Sequence, residues 1–143
     1  LVPSPQPLRV IQRHMIRDAA RAGHIVVACG GGGIPIKLLP DGRYEGIEAV
    51  IDTDLTSSVL ASDIGASLLV ILTAVPQVYL HFGTPRQRAL GAVTLEEIEA
   101  LHEEGHFPPG SMGPKIEAVI HFLRAGGRRA WRAASAAAPG APE

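Results

Sequence analysis

Four consecutive glycines, Gly30, Gly31, Gly32 and Gly33, follow a short apolar stretch of the sequence. Glycine loses more backbone entropy on folding than any other residue, so such a run is costly. The usual gain is close approach of main-chain N–H groups to an anion, because no Cβ intervenes. The run matches neither common phosphate loop, since it lacks the Gly-Lys-Ser/Thr ending and Pro35 takes the place of the last glycine of a dinucleotide fingerprint. A ligand loop and a tight crossover into a hairpin both remain open.

Three charged residues near predicted helix starts are the other candidates for chemistry. Asp52 and Asp54 flank Thr53, and simple capping, for which Asp54 is suited, would explain carboxylates there. The alternative is that one of them orients groups around a phosphate. Lys115 follows Pro114, where a cation opposes the helix dipole. A bound anion would account for that lysine, whereas the alternative is an exposed lysine without a role.

Composition limits the classes of protein to consider. The 143 residues, 46% of them hydrophobic, suffice for one domain with a buried core. A net charge of −1 argues against a nucleic-acid binder. The single cysteine, Cys29, cannot form an internal disulfide and suits a reducing cytoplasm. No leader and no apolar stretch of membrane-spanning length is present, so we expect no membrane partner. The opening at Leu1 indicates a piece of something longer.

Periodicity and turn residues predict the elements that position these candidates. An extended entry segment (residues 1–7) leads to a helix ending at Gly23, a buried strand (24–29) and a hairpin (36–47) around a Pro-Asp-Gly turn. A helix (54–66), a second buried strand (68–73) and a short strand (78–80) follow. The last two predicted elements are a helix that begins with a capping box at Thr94 and a helix from Pro114 to Gly126. Strands alternating with helices predict an α/β sandwich with a mainly parallel sheet. The Ala/Pro-rich residues 133–143 are predicted to be a disordered tail.

Several motifs occur together in a familiar order. They are GGGGIP (residues 30–35), GIEAVIDTD (46–54), LTAV (72–75) followed by VY (78–79), EGHF (104–107) and GSMGPK (110–115). In this order and spacing the sequence resembles the carbamate kinases of the amino acid kinase family, from about Val2 to Arg129. Several ordered motifs are far more specific than any one of them.

The resemblance implies a fold and an activity. The fold would be a three-layer α/β/α sandwich with a mainly parallel sheet, to which residues 8–132 contribute the C-terminal, nucleotide-binding half. The activity would be phosphoryl transfer between ATP and carbamate, or in reverse between carbamoyl phosphate and ADP, with Mg²⁺. The acyl substrate would be bound by an N-terminal half that these residues do not include. A homodimer is also implied.

The resemblance assigns roles to particular residues. Asp54 matches the aspartate that organises the phosphate-binding groups, and Lys115 matches a lysine that contacts the nucleotide phosphates; both are candidate catalytic residues. The glycine run lies where the family lines the site near the transferring group. The residues that fall where the family surrounds the nucleotide are Thr73, Ala74, Val75, Tyr79, Met112, Pro114 and Lys115.

Two departures from the family pattern bear on activity. Thr53 stands where the family usually has a phosphate-contacting lysine, and losing such a cation can slow phosphoryl transfer by about 10²-fold or more. The charged residues 128–132 stand where a further strand is expected. A degenerate or truncated remnant that at most binds nucleotide or associates with itself is therefore the alternative function.

A short match to a zinc-protease motif points elsewhere. His102, Glu103 and His106 fit the H-E-x-x-H pattern, which needs both histidines on one face of a continuing helix. Gly105 and the prolines after it end the predicted helix at the second histidine. We therefore expect a surface turn and no metal site.

Overall fold

The computed structural model describes residues 1–73, 75 and 77–134. The chain divides into two compact units, Leu1–Ala66 and Ser67–Glu143. Residues 135–143 of the predicted tail lie outside the described residues, as does Ala74. No helix in the described part of the chain combines the length and the apolar character that crossing a membrane requires.

The first unit contains two helices, a glycine turn and a hairpin. Its elements are α1 (Arg13–Arg21), the 3₁₀ turn Gly30–Gly32, β1 (Ile36–Leu38), β2 (Tyr44–Gly46) and α2 (Thr53–Ile64). The hairpin forms as predicted, with Lys37 opposite Glu45 and their charged groups 2.7 Å apart. Helix α1 ends before Gly23, whose φ of +90° suits glycine, as predicted.

The buried strand predicted for residues 24–29 was wrong. The segment is not a strand, and Ile25 and Val27 are 98% and 95% exposed. A strand exists only when a neighbour accepts and donates its backbone hydrogen bonds. None of the strands in the described part of the chain pairs with this segment. A β-branched composition alone therefore does not make this segment a strand.

Helix α2 begins at Thr53, one residue earlier than predicted, because Asp52 caps it in place of Asp54. One carboxylate oxygen of Asp52 accepts hydrogen bonds from the amides of Asp54 and Leu55, at 2.9 and 3.0 Å. The cap is therefore Asp52, and Asp54 lies in the first turn. The helix buries a face centred on Val59, while Leu55 and Ile64, predicted to point inward, are half-buried.

The described residues of the second unit form four strands and two helices. Its elements are β3 (Leu68–Thr73), β4 (Val78–Leu80), β5 (Arg88–Leu90), α3 (Leu95–Glu103), α4 (Met112–Arg124) and β6 (Arg129–Ala134). Strands β3 and β6 are parallel, and β4 and β5 form an antiparallel hairpin. The α/β class with a parallel sheet agrees with prediction. Strand β5 was not predicted.

Strand β6 corrects two expectations about the end of the chain. The charged residues 128–132 were expected to lack the family's further strand, and Ala133 was assigned to a disordered tail. Residues 129–132 and Ala133 fall in β6, where Leu68 of β3 lies opposite Arg129 and Thr73 opposite Ala134. Backbone pairing with β3 does not depend on side-chain polarity, so a charged sequence forms the strand.

One buried apolar cluster of the second unit lies between the β4–β5 hairpin and the two helices. It comprises Leu80, Ile98, Phe107, Ile116 and Ile120. Helix α3 carries the predicted capping box, in which the Thr94 hydroxyl accepts from the Glu97 amide at 3.2 Å and the Glu97 carboxylate accepts from the Thr94 amide at 2.7 Å. In β3, alternate side chains are buried, and the intervening Leu68, Val70 and Leu72 are exposed.

Candidate functional site

The glycine turn uses part of its own hydrogen-bonding capacity. The amides of Gly32 and Gly33 donate to the carbonyls of Cys29 and Gly30, at 3.0 and 3.2 Å. At most the amides of Gly30 and Gly31 therefore remain in the run to bind an anion. Gly31 has a φ of +63° and Gly32 a φ of +81°, backbone conformations that favour glycine. The turn thus offers an anion at most two backbone amides of the glycine run instead of four.

Gly32 also lets the turn approach the start of α2. The residue is buried, and a Cβ at this position would overlap the backbone carbonyl of Ile51. Ile51 directly precedes the capping residue Asp52. A glycine is therefore required for the turn to pack against the entry to the helix.

A threonine on α2 fixes this contact. The Thr56 hydroxyl lies 3.0 Å from the carbonyl oxygen of Gly32 and 3.0 Å from that of Asp52, and the residue is 5% exposed. The Asp52 carbonyl already accepts the Thr56 amide at 3.0 Å. The hydroxyl has one proton and can donate it to one acceptor at a time. Donation to the carbonyl of the buried Gly32 contributes more to stability, because the Asp52 carbonyl already accepts a backbone hydrogen bond. Sequence reasoning missed Thr56, and its spacing of four residues from Asp52 was the only available signal.

Asp54 lies in the first turn of α2, in the same unit as the glycine turn and one residue on from the helix start. Asp52 is occupied with capping, so Asp54 is the carboxylate of the pair that the helix does not need for its cap. The first unit thus contains a positive-φ glycine turn that packs at the start of α2, and Asp54 lies in the first turn of that helix.

Lys115 lies near the start of α4 in the second unit. The cap residue of this helix, Ser111, makes no side-chain capping hydrogen bond. The amide of Gly113 donates to the Pro108 carbonyl at 2.8 Å, and a Cβ on the buried Gly113 would come within 2.9 Å of that oxygen. The loop before α4 therefore packs against the first turn of the helix and helps to fix the position of Lys115.

Half-buried Lys115 lines a cavity of about 500 Å³ within the second unit. The wall is mostly apolar and includes Ile71, Val78 and Ile116, with Thr94 among its few polar members. Among the predicted site residues that the structure describes, Lys115 alone lines this cavity. The cavity walls were not predicted as a site, because core side chains carry no chemical signal in the sequence.

The other predicted nucleotide-binding residues lie elsewhere in the second unit. The buried Thr73 ends β3, and its hydroxyl donates to the Val75 carbonyl at 2.8 Å. The rings of Tyr79 and Phe82 have centroids 5.9 Å apart. Met112 packs against the buried cluster, and Pro114 is half-buried in the first turn of α4. Predicted Ala74 lies outside the described residues.

The zinc-protease pattern has no matching geometry. Helix α3 ends at Glu103, and Gly105 has a φ of +78°. The His106 ring nitrogen lies 3.0 Å from the Glu104 carboxylate, while the His102 ring stacks on Phe107 with centroids 6.4 Å apart. Within the described ranges, no three His, Cys, Asp or Glu side chains could together hold a metal ion.

Cys29, at the entrance to the glycine turn, is partly buried. Burial raises the pKa of its thiol, because the charged thiolate loses hydration. Its φ is +61°, a left-handed conformation that is uncommon outside glycine. At a given pH the thiol is therefore ionised to a smaller extent than a fully hydrated cysteine.

Comparison with known proteins relates this arrangement to an enzyme family. Residues 3–131 match the Amino acid kinase family. The chain is 47% identical over 131 residues to a carbamate kinase of Thermoplasma volcanium, covering 92% of this chain and 43% of that protein. It is 44% identical to the carbamate kinase-like protein YahI of Escherichia coli, covering 90% of this chain and 40% of that protein.

A solved structure gives the same picture. Carbamate kinase from Giardia lamblia bound to AMP-PNP superposes with a TM-score of 0.90 at 38% identity, covering 94% of this chain and 42% of that chain. This chain thus spans less than half the length of the relatives that it matches.

Proposed function

Because this chain belongs to the amino acid kinase family, we propose that it supplies the nucleotide-binding, C-terminal part of a carbamate kinase-like phosphotransferase. In the proposed reaction, a carbamate oxygen attacks the γ-phosphorus of ATP, the bond from that phosphorus to the β,γ-bridging oxygen breaks, and ADP and carbamoyl phosphate form. The reverse reaction makes ATP. The observation that carries this proposal is the TM-score of 0.90 at 38% identity to a carbamate kinase with a bound ATP analogue.

The first unit would act on the transferring group. Phosphoryl transfer needs positioning and charge neutralisation more than covalent chemistry. The amides of Gly30 and Gly31, held beside the start of α2 through Thr56 and Gly32, would donate to phosphate oxygens. Asp54 would orient the phosphate-binding groups around them.

The second unit would hold the nucleotide. Lys115, in the first turns of α4, would neutralise phosphate charge, and the helix N-terminus would add its dipole. Thr73, Ala74, Val75, Tyr79, Met112 and Pro114 would surround the remainder of the nucleotide. Mg²⁺ would accompany the nucleotide phosphates, as is usual for this ion in kinases.

Calorimetry with Mg-ADP tests nucleotide binding directly. We expect measurable affinity for this chain and a loss of about tenfold or more for Lys115→Met, the size of one charge-assisted hydrogen bond. Lys37→Met is the matched control, because Lys37 is an exposed lysine of the β1–β2 hairpin paired with Glu45. No heat at millimolar ADP would reject the proposal.

Position 53 offers a second test. Thr53 is exposed, so a lysine there adds a cation near the glycine turn without disturbing the Asp52 cap. We expect Thr53→Lys to bind Mg-ADP or inorganic phosphate several-fold more tightly. Unchanged affinity would show that position 53 has no part in phosphate binding.

A coupled assay of ATP formation from carbamoyl phosphate and ADP tests the reaction. The proposal assigns the acyl substrate to the other part of the fold, so this chain alone should show no turnover. Turnover by this chain alone would contradict that assignment.

A further inference from the structure

A series of hydrogen bonds joins a buried hydroxyl on α2 to the outer part of the glycine turn. The Thr56 hydroxyl donates to the Gly32 carbonyl at 3.0 Å, and both residues are buried. The same peptide unit carries the Gly33 amide, which donates to the Gly30 carbonyl at 3.2 Å. The Gly30 carbonyl shares its own peptide unit with the Gly31 amide. The series therefore runs from the hydroxyl through two peptide units to that amide.

The Gly31 amide at the end of the series is one of the two amides of the run that remain to bind an anion. A Cβ built on Gly31 would meet nothing within 4 Å in the described part of the chain. The turn is therefore uncrowded at this residue, and a phosphate oxygen has room to approach it.

The other remaining amide, that of Gly30, is not connected to the hydroxyl in this way. It shares a peptide unit with the Cys29 carbonyl, which accepts from the Gly32 amide at 3.0 Å. The Gly32 amide shares its peptide unit with the Gly31 carbonyl, which is not the carbonyl that Thr56 contacts. The hydrogen-bond series that begins at Thr56 therefore reaches only one of the two amides.

Two physical effects pass along such a series. A carbonyl that accepts a hydrogen bond polarises the N–H of the same peptide unit, so hydrogen bonds in series strengthen one another. Glycine restricts its backbone less than any other residue, so the orientation of these peptide units depends on the bonds that hold them. Loss of the first bond should therefore both weaken and disorder the donor at the far end.

We propose that Thr56 is a positioning residue for phosphate binding, because its hydroxyl orients and polarises the Gly31 amide as the donor to a phosphate oxygen. Without the hydroxyl, the buried Gly32 carbonyl loses its donor and the turn must relax to find another. The inference rests on the proposed function in taking the glycine turn to bind the transferring phosphate.

Amide-resolved NMR with inorganic phosphate as the probe tests this proposal. We expect phosphate to shift the Gly31 amide resonance of the unaltered chain. Thr56→Val keeps the shape of the side chain and removes the hydroxyl. It should raise the dissociation constant for phosphate about threefold to tenfold, the size of one hydrogen bond. Without phosphate, the Gly33 amide of this variant should exchange faster with solvent, because its bond to the Gly30 carbonyl is the next in the series.

The matched variants separate positioning from folding. Thr56→Ser keeps the hydroxyl and should restore phosphate affinity, and Thr56→Ala replaces the valine variant should that one unfold. Ser62→Ala is the control, because the Ser62 hydroxyl donates to the Ser58 carbonyl at 2.9 Å on the same helix. Circular dichroism checks that each variant is folded. The Gly30 amide is an internal control, since its exchange should change less than that of Gly33.

Three outcomes would overturn the proposal. They are no response of the Gly31 amide to phosphate, equal phosphate affinity for Thr56→Val and Thr56→Ser, and equal effects of Thr56→Val on the Gly30 and Gly33 amides. Phosphate binding at Gly31 that depends on Thr56, in a chain that does not bind Mg-ADP, would leave this inference standing while the proposed function fails. Binding of Mg-ADP without a response of Gly31 would do the reverse.

Discussion

Gly31 and Gly32 are adjacent and both have positive φ, but their surroundings differ. An added Cβ meets nothing within 4 Å at Gly31, whereas at Gly32 it overlaps the Ile51 carbonyl. Gly31→Ala should therefore cost about 1 kcal/mol of unfolding free energy from backbone strain alone. Gly32→Ala adds a steric overlap and should cost about 3 kcal/mol. Urea unfolding of both variants measures the difference, and equal costs would show that the turn does not pack on α2 as described.

Burial of Cys29 gives a pH prediction. Its pKa is raised by lost hydration, so the thiolate fraction at a given pH is smaller than for a free thiol. Alkylation by iodoacetamide should be slower in the folded chain than in urea. The pH at which the rate rises should also be higher for the folded chain than for the chain in urea. Identical pH profiles in the two conditions would contradict the burial of this thiol.

At the level of single residues, the sequence predicted that carboxylates lie at the start of α2, but not which of them caps the helix. Asp52 and Asp54 were both candidates because both suit a helix start. The choice between them depends on where the preceding backbone turns, which is set by the packing of Gly32 on Ile51. Thr56 was missed for the same reason, since its partner Gly32 is 24 residues away in sequence.

The two long helices of the second unit begin in different ways. Thr94 and Glu97 make a reciprocal capping box at α3, whereas Ser111 at α4 makes no side-chain capping bond. Thr94→Ala should therefore cost about 1 kcal/mol of unfolding free energy, and the matched Ser111→Ala should change it by less than about 0.5 kcal/mol. Denaturant titration of both variants checks this. A larger loss at Ser111 would mean that its hydroxyl stabilises the helix.

Elements with local signals were predictable, and those that depend on distant partners were not. The Pro-Asp-Gly turn, the capping box and the glycines after α1 and α4 are encoded within a few residues of the elements they bound. Strand β6 forms because β3 pairs with it, although its sequence is charged. The segment at residues 24–28 shows the converse, since a strand-like composition without a described partner does not form a strand.

The two units differ in how much core they have. The buried apolar residues of the first unit are Val59, Leu60 and Ala61, all on α2. In the second unit they come from β3, β4, α3, α4 and the loop between the helices. Amides of α1 should therefore exchange with solvent much faster than those of α4, as measured by hydrogen exchange with mass spectrometry. Equal protection in the two helices would contradict this ranking.

At the scale of the whole molecule, the α/β class followed from alternating strands and helices, but the number of strands that pair did not. Each described sheet has two strands. A parallel pair this small leaves Leu68, Val70 and Leu72 of β3 exposed, where a strand buried on both faces was expected. Sheet size depends on how much of the fold is present, and composition carries no information about that.

Because Gly113 contacts Pro108, the length of the loop between α3 and α4 affects where the charge of Lys115 lies. Helix α4 is tied at its first turn to the loop that follows α3, so the helix cannot slide along its axis unless the loop changes. A residue inserted or deleted between Gly105 and Gly110 would therefore break this contact or displace the first turn of α4, and Lys115 would move with that turn.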